Sequence, residues 1–279
     1  QAEVVVIGSG TGLAAALAAS VAGAEVLVLE KSPYVGGTTA VSGGGSWAPN
    51  SRPVVEAVGE TPREELLTYL RTITGGGTPD AKLERFVDTE AEVFDRIDEI
   101  TPLDFVFAGG PSDYHAEFEG GSKDGRMIVP DLYEGERLGD RLEDVRKSPH
   151  FPIPITFAEI EQETGSSAVY ATRADFEKLV PRIEQDILGG GEALIAGLYE
   201  AVLERGVEVL RETPATELVM DDDVVVGVAA TQSGAELLVE ASAIIVAAGG
   251  LEWDEELREN FLPGPLTGPA SPPYNEGDG

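Results

Sequence analysis

A run of aliphatic residues that breaks at once into glycines constrains this chain more than any other feature: VVVIGSGTGLAAALAA, Val4 to Ala19. Val4–Ile7 is short, β-branched and almost wholly apolar, which suits a strand buried on both faces of a parallel sheet. Gly8–Gly12 turns the chain, and the Ala-rich stretch Leu13–Val21 reads as a helix lying close on that sheet. A second buried strand is expected at Glu25–Leu29, ending at Glu30. Strand, turn, helix, strand and acid make one βαβ unit of a nucleotide-binding kind. The turn aims backbone N–H groups and the positive end of a helix dipole at a phosphate, and the acid accepts hydrogen bonds from ribose hydroxyls.

The glycine spacing is unusual. Dinucleotide turns follow G-x-G-x-x-G, whereas the glycines here fall at Gly8, Gly10 and Gly12, with Leu13 where the third is expected. NAD and FAD both use such a turn, and a carboxylate at Glu30 repels the 2′-phosphate of NADP. Four later features favour FAD. Glu30-Lys31 is followed by Gly36-Gly37-Thr38-Thr39 and Ser42-Gly43-Gly44, a second Gly/Ser/Thr loop suited to a pyrophosphate and ribityl chain, where an NAD domain continues with a helix. A hairpin is expected over Ala215–Ala230, turning at Asp221-Asp222-Asp223 after a long insertion. An apolar strand, Ala243–Ala247, ends in Ala248-Gly249-Gly250. The last motif is Asn275-Glu276-Gly277-Asp278-Gly279.

Composition removes several alternatives. The chain of 279 residues has no cysteine, so disulfides, thiolate metal sites and thiol catalysis are excluded, and two histidines make a histidine metal site or relay unattractive. A net charge of −32 argues against nucleic acid and anionic membrane as partners. Two readings of that charge stay open: a solvated acidic surface, or adaptation to high salt, where screening relieves the repulsion. No apolar run reaches the roughly 20 residues of a membrane span. With no recognisable signal peptide, the expected location is cytoplasmic.

Elsewhere, Thr61-Pro62-Arg63-Glu64 reads as a capping box opening a helix to about Thr74. Thr78-Pro79 opens another, whose Leu83, Phe86, Val87, Phe94, Ile97 and Ile100 recur at helical spacing as a core stripe. Residues 104–165 look irregular. Helices are expected over Arg173–Ile187, kinked or split at Pro181, and over Glu192–Glu204. Further strands are expected at Val207–Leu210 and Leu237–Val239.

The combination GSGTG, LVLEKSPYVGGTTAVSGGG, SDYHAEFEGG, GRMIVP, GVEVLRETPATEL, VVVGV, IIVAAGG, FLPGPL and NEGDG resembles the flavoprotein family of 3-ketosteroid-1-dehydrogenases and fumarate reductase flavoprotein subunits, over essentially the whole chain. The segments from SDY to GR and from FLPGPL to SPP look closer to the ketosteroid branch. The resemblance implies an α/β fold: a Rossmann-like FAD-binding domain of the glutathione-reductase-like type, with a parallel sheet, a β-hairpin or meander and a helical and loop insertion over about 51–190. On that reading residues 1–279 are one FAD-binding domain, and a substrate-cap domain and a C-terminal FAD segment lie outside it. The 18 residues from Gly12 to Glu30 equal the usual spacing of the family from third glycine to acid, so the turn is one residue short between Gly10 and Gly12.

The resemblance also implies roles. The first glycines, Gly8, Gly10 and Gly12, and the Gly37–Ser42 region, with Thr38 and Thr39, hold the FAD diphosphate; Ser9, Leu13, Gly36, Gly43 and Gly44 beside them are further cofactor-binding candidates. Glu30, beside Lys31, binds the adenosine ribose, Ala215 reads the adenine through its backbone, and Ala248 and Gly249 line the FAD. Tyr114 matches an active-site tyrosine of the ketosteroid branch, which makes it the catalytic candidate, facing the flavin and tuning a proton relay; the alternative is a packed loop aromatic. The implied reaction removes two hydrogens across a carbon–carbon bond next to a ketone, in a small apolar, steroid-like or cyclic substrate. A fumarate- or enoate-type reductase and a non-catalytic FAD-binding structural subunit are the alternatives, and two readings of the rest of the active site stay open: a longer chain of which this is a part, or a second polypeptide of a split enzyme that completes it.

Overall fold

The computed structural model describes residues 1–110, 112–149, 153–165, 169–170, 173–264 and 268–279. In chain order the strands are β1 (Ala2–Ile7), β2 (Val26–Leu29), β3 (Ser46–Trp47), β4 (Phe105–Phe107), β5 (Met127–Pro130), β6 (Tyr133–Glu134), β7 (Ile187–Leu188), β8 (Glu208–Leu210), β9 (Ala215–Asp221), β10 (Val224–Gln232) and β11 (Ala235–Val246). The helices are α1 (Gly12–Val21), α2 (Gly37–Ala40), α3 (Arg52–Val58), α4 (Arg63–Thr74), α5 (Asp80–Ile100), α6 (Phe157–Thr164), α7 (Phe176–Glu184), α8 (Gly190–Glu204) and α9 (Glu255–Phe261). Among the described residues no helix is long and apolar enough to cross a membrane. Two compact units result: residues 1–42, 135–152 and 194–279, and residues 43–134 and 153–193.

The first unit is built on a six-stranded sheet in the order β8-β2-β1-β11-β10-β9. β8, β2, β1 and the second half of β11 run parallel. Val5 and Val6 of β1 and Val28 and Leu29 of β2 are buried, and each such side chain contributes about 1.5–3 kcal/mol. Val5, Leu29, Val228 and Val239 share one core cluster. The separate strands expected at Leu237–Val239 and Ala243–Ala247 are one strand with two neighbours. Ala235–Glu240 pairs antiparallel with β10, and Ala241–Val246 pairs parallel with β1. The change of partner changes which residues are covered, and that broke the pattern in two.

In the second unit β3, β5 and β4 form a small antiparallel sheet. The region expected to be irregular therefore holds β4, β5, β6, a 3-10 segment over Gly135–Asp144 and α6. α4 forms as expected, but the capping box does not: Pro62 caps it without a side-chain bond, and the Thr61 N–H is taken by Asn50 Oδ1 at 2.9 Å. A reciprocal box forms instead at Thr156 and Glu159, opening α6. On α5 Leu83 and Val87 are buried, whereas Phe86 is exposed on one side and stacks on Trp47. α7 is shorter than expected at both ends. Asp175 caps it, and Pro181 sits within it, three residues before its end. The last two residues of the FLPGPL motif, and His150, lie outside the described residues.

Candidate flavin-nucleotide cleft

The carboxyl ends of β1, β2 and β11 open onto a cleft of about 620 Å³ within the first unit, the side of an open α/β sheet on which ligands bind. The βα turn enters it at Gly8, whose φ of +98° and whose missing Cβ both matter. A Cβ there would stand 2.2 Å from the Ala247 carbonyl oxygen, so only glycine lets the β11 exit cross this closely. Gly12 opens α1 and packs on β1, with its Cβ position 3.0 Å from Val6 Cγ1. It therefore does the close-packing work of the third fingerprint glycine, one residue early. Leu13, expected in the site, is fully buried in the core and does not line the cleft.

A relay of hydrogen bonds pins three segments of the rim. Glu30 Oε2 accepts from the Ser9 N–H at 3.0 Å and the Ser9 hydroxyl at 2.5 Å. The Ser9 Oγ in turn accepts from the Gly36 N–H at 3.0 Å. Glu30 Oε1 accepts from the Ser32 N–H at 2.8 Å. Ser9 N–H is thus spent inside the protein. Those of Gly10 and Thr11 have no partner among the described residues, and α1 has no side-chain cap. These are the donors left for an anion.

The C-terminal motif closes another wall. Asn275 Nδ2 donates to Thr38 Oγ1 at 2.8 Å and to Glu252 Oε1 at 2.7 Å. A Cβ on Gly249 would reach 2.6 Å from Asn275 Oδ1, which explains why the AAGG exit and the NEGDG stretch belong together. Lys31 Nζ pairs with Glu276 at 2.9 Å and Asp278 at 2.5 Å. Burial opposes its charge, but the two carboxylates carry its pKa above the ordinary lysine value.

The cleft thus gathers Gly8, Ser9, Gly10, Glu30, Lys31, Gly37, Thr38, Thr39, Ala215, Ala248 and Gly249 from the expected set. Gly12, Gly36 and Ser42 do not line it, Ser42 being exposed elsewhere on the surface, and Gly43 and Gly44 fall in the second unit. The loop around Gly37 holds a short helical turn, α2, where only irregular chain was expected. Arg146, Tyr274 and Asn275 were missed as site residues. No spacing rule marks Arg146; its one signal is that it is a cation in a chain with 51 acids and 19 bases.

Tyr114 is fully exposed. The neighbouring motif residues explain how it is presented. Buried Asp113 binds buried Arg126, accepts from Trp47 Nε1 at 2.9 Å and from the Ser122 N–H at 2.9 Å, and so anchors the loop. Arg126 also donates to the Gly120 carbonyl at 2.7 Å and lies over the Trp47 and Tyr69 rings. The run from SDY to GR is thus a structural clasp, which leaves Tyr114 facing outward.

Residues 3–279 match the family described as FAD binding domain. The chain is 31% identical to the 3-oxosteroid 1-dehydrogenase of Mycolicibacterium smegmatis, over 95% of its own length and 49% of that protein. It is 32% identical to the 4-oxocyclohexanecarboxylate 2-dehydrogenase of Sinomonas cyclohexanicum, over 99% of its length and 48% of that protein. The crystal structure of 3-ketosteroid delta1-dehydrogenase from Sterolibacterium denitrificans, in complex with 1,4-androstadiene-3,17-dione, superposes with a TM-score of 0.87 at 28% identity, covering 99% of this chain and 53% of that one. The chain spans about half the length of the curated relatives it matches.

Proposed function

The chain belongs to the FAD binding domain family, and from that premise we propose that it is the FAD-holding part of a flavin-dependent dehydrogenase that desaturates a carbon–carbon bond next to a ring ketone. The observation that carries the reading is the Glu30–Ser9–Gly36 relay, which pre-forms a glycine-walled cleft with free N–H donors. The cleft fits the group. Its volume lies within the roughly 300–1,000 Å³ of small-ligand sites. Its crossing at Gly8 admits no side chain.

Each cleft residue then has a task. Glu30 keeps an unused lone pair on Oε1, where only the Ser32 N–H is bound, and accepts there from the ribose hydroxyls. Gly10, Thr11 and the N-terminus of α1 hold the diphosphate, with Thr38 and Thr39 beside them. Ala215 faces the adenine, and Ala248 and Gly249 line the far wall. FAD supplies a hydride acceptor when bound. Polarising the ketone acidifies the neighbouring C–H, and that proton needs a base. Tyr114, held outward by the Asp113–Arg126 clasp, serves the proton relay. The two curated relatives are both named for oxo-substituted ring substrates and both are dehydrogenases, which supports a cyclic ketone. Residues outside these 279, in the same chain or in a second polypeptide, complete the substrate site on this reading.

The test is anaerobic mixing of the full-length, FAD-loaded protein with a 3-oxosteroid and, separately, with 4-oxocyclohexanecarboxylate. Bleaching of the flavin absorbance by either, with formation of the ring enone, supports the proposal. A flavin left oxidised by both contradicts it.

A further inference from the structure

Of the two cations that line the cleft, Lys31 and Arg146, the second makes no ion pair among the described residues. Lys31 is bound by two carboxylates. Arg146 is 8% exposed, forms no ion pair among the described residues, and donates Nη2–H to Ser32 Oγ at 2.9 Å. Its Nε is buried and has no hydrogen-bond partner. An orphaned guanidinium N–H is costly, and a buried charge without a partner more so. Burial pushes the Arg146 pKa down, with Glu30, Tyr274 and Tyr34 opposing the change.

The side chain is nonetheless carefully held. The Arg146 backbone N–H bonds the Val35 carbonyl at 3.0 Å, next to the Gly36 that closes the Glu30 relay. Its guanidinium lies over the rings of Tyr34 and Tyr274, 5.6 and 5.1 Å from their centroids. Planarity, ring stacking, an unpartnered N–H and the nearby charge of Glu30 together form a recognition device for an acceptor-rich, planar group.

We infer that Arg146 is a binding residue for the adenosine half of the cofactor, donating to ribose or adenine acceptors while Glu30 accepts from the ribose hydroxyls. This rests on the FAD reading of the same cleft. Glu30 alone satisfies only ribose donors; Arg146 satisfies the acceptors that a ribose and a purine also carry.

The test uses the full-length protein and three probes: FAD, ADP as the adenosine half, and FMN as the flavin half. Arg146→Ala and Arg146→Lys are compared with the wild type by calorimetry, and their cofactor-free melting temperatures are recorded. Arg146→Lys keeps the charge, and so the fold, but loses the planar fork. Both variants should weaken FAD and ADP by about tenfold or more while changing FMN binding less than about threefold. FAD and ADP affinities unchanged in Arg146→Lys, or FMN weakened as much as FAD, overturn the assignment while leaving the FAD reading intact. A wild-type protein that takes up neither FAD nor ADP overturns both.

Discussion

One oxygen of Glu30 receives both hydrogen-bond donors of Ser9, its N–H and its hydroxyl, across 21 residues of chain. The turn and the acid that must cooperate on a nucleotide are therefore coupled before any ligand arrives. Glu30→Gln keeps the shape but replaces one acceptor oxygen with an NH2 group, which cannot accept from Ser9 or Ser32. We expect FAD to bind about ten- to a hundredfold more weakly, measured by quenching of flavin fluorescence. Undiminished affinity would remove Glu30 from the site.

Gly8 and Gly23 separate backbone strain from obstruction. Both have φ above +90°, but a Cβ meets the Ala247 carbonyl at Gly8 and nothing within 4 Å at Gly23. Gly23→Ala should cost about 1 kcal/mol in urea unfolding and leave flavin content unchanged. Gly8→Ala should cost more than about 3 kcal/mol and lose the flavin. Equal effects of the two substitutions would contradict the close crossing.

Much of this was legible in the chain because β1, the turn, α1 and β2 are contiguous, and their periodicity, glycines and terminal acid are local signals. What was hidden depends on partners far away. β11 looked like two strands because its halves face different neighbours. The Thr61 box failed because Asn50 reached its N–H first. Arg146 came to the cleft through its bond to Val35, 111 residues earlier, which no spacing reveals. Leu13 occupied a fingerprint position, yet helical geometry turned it into the core.

Acid should act on the second unit through Glu159. Burial alone would raise its pKa, but Arg182 at 2.8 Å, Lys178 at 2.6 Å and the Thr156 N–H at 3.1 Å hold it down to about 2. Its folded value is depressed, so its stabilisation is full above the unfolded carboxylate pKa of about 4.3 and is lost as pH falls from there towards 2. Hydrogen exchange over α6 and α7 should accelerate across that window and lose this dependence in Glu159→Gln. An identical pH profile in the variant would contradict the assignment.

Tyr114→Phe tests the proposed proton relay. Because the side chain is fully exposed, stability should change by less than about 0.5 kcal/mol and FAD content should stay the same. Turnover of the full-length enzyme should fall about a hundredfold. Unchanged turnover would leave the tyrosine as surface and no more.

The central claim is that the cleft takes FAD and not a nicotinamide dinucleotide. Titration of the full-length, flavin-stripped protein with FAD, NAD and NADP, followed by calorimetry and visible absorbance, tests it most directly. The account predicts saturable, one-to-one uptake of FAD with a yellow product and no comparable binding of NAD or NADP. A colourless protein that ignores FAD and binds NAD would contradict it.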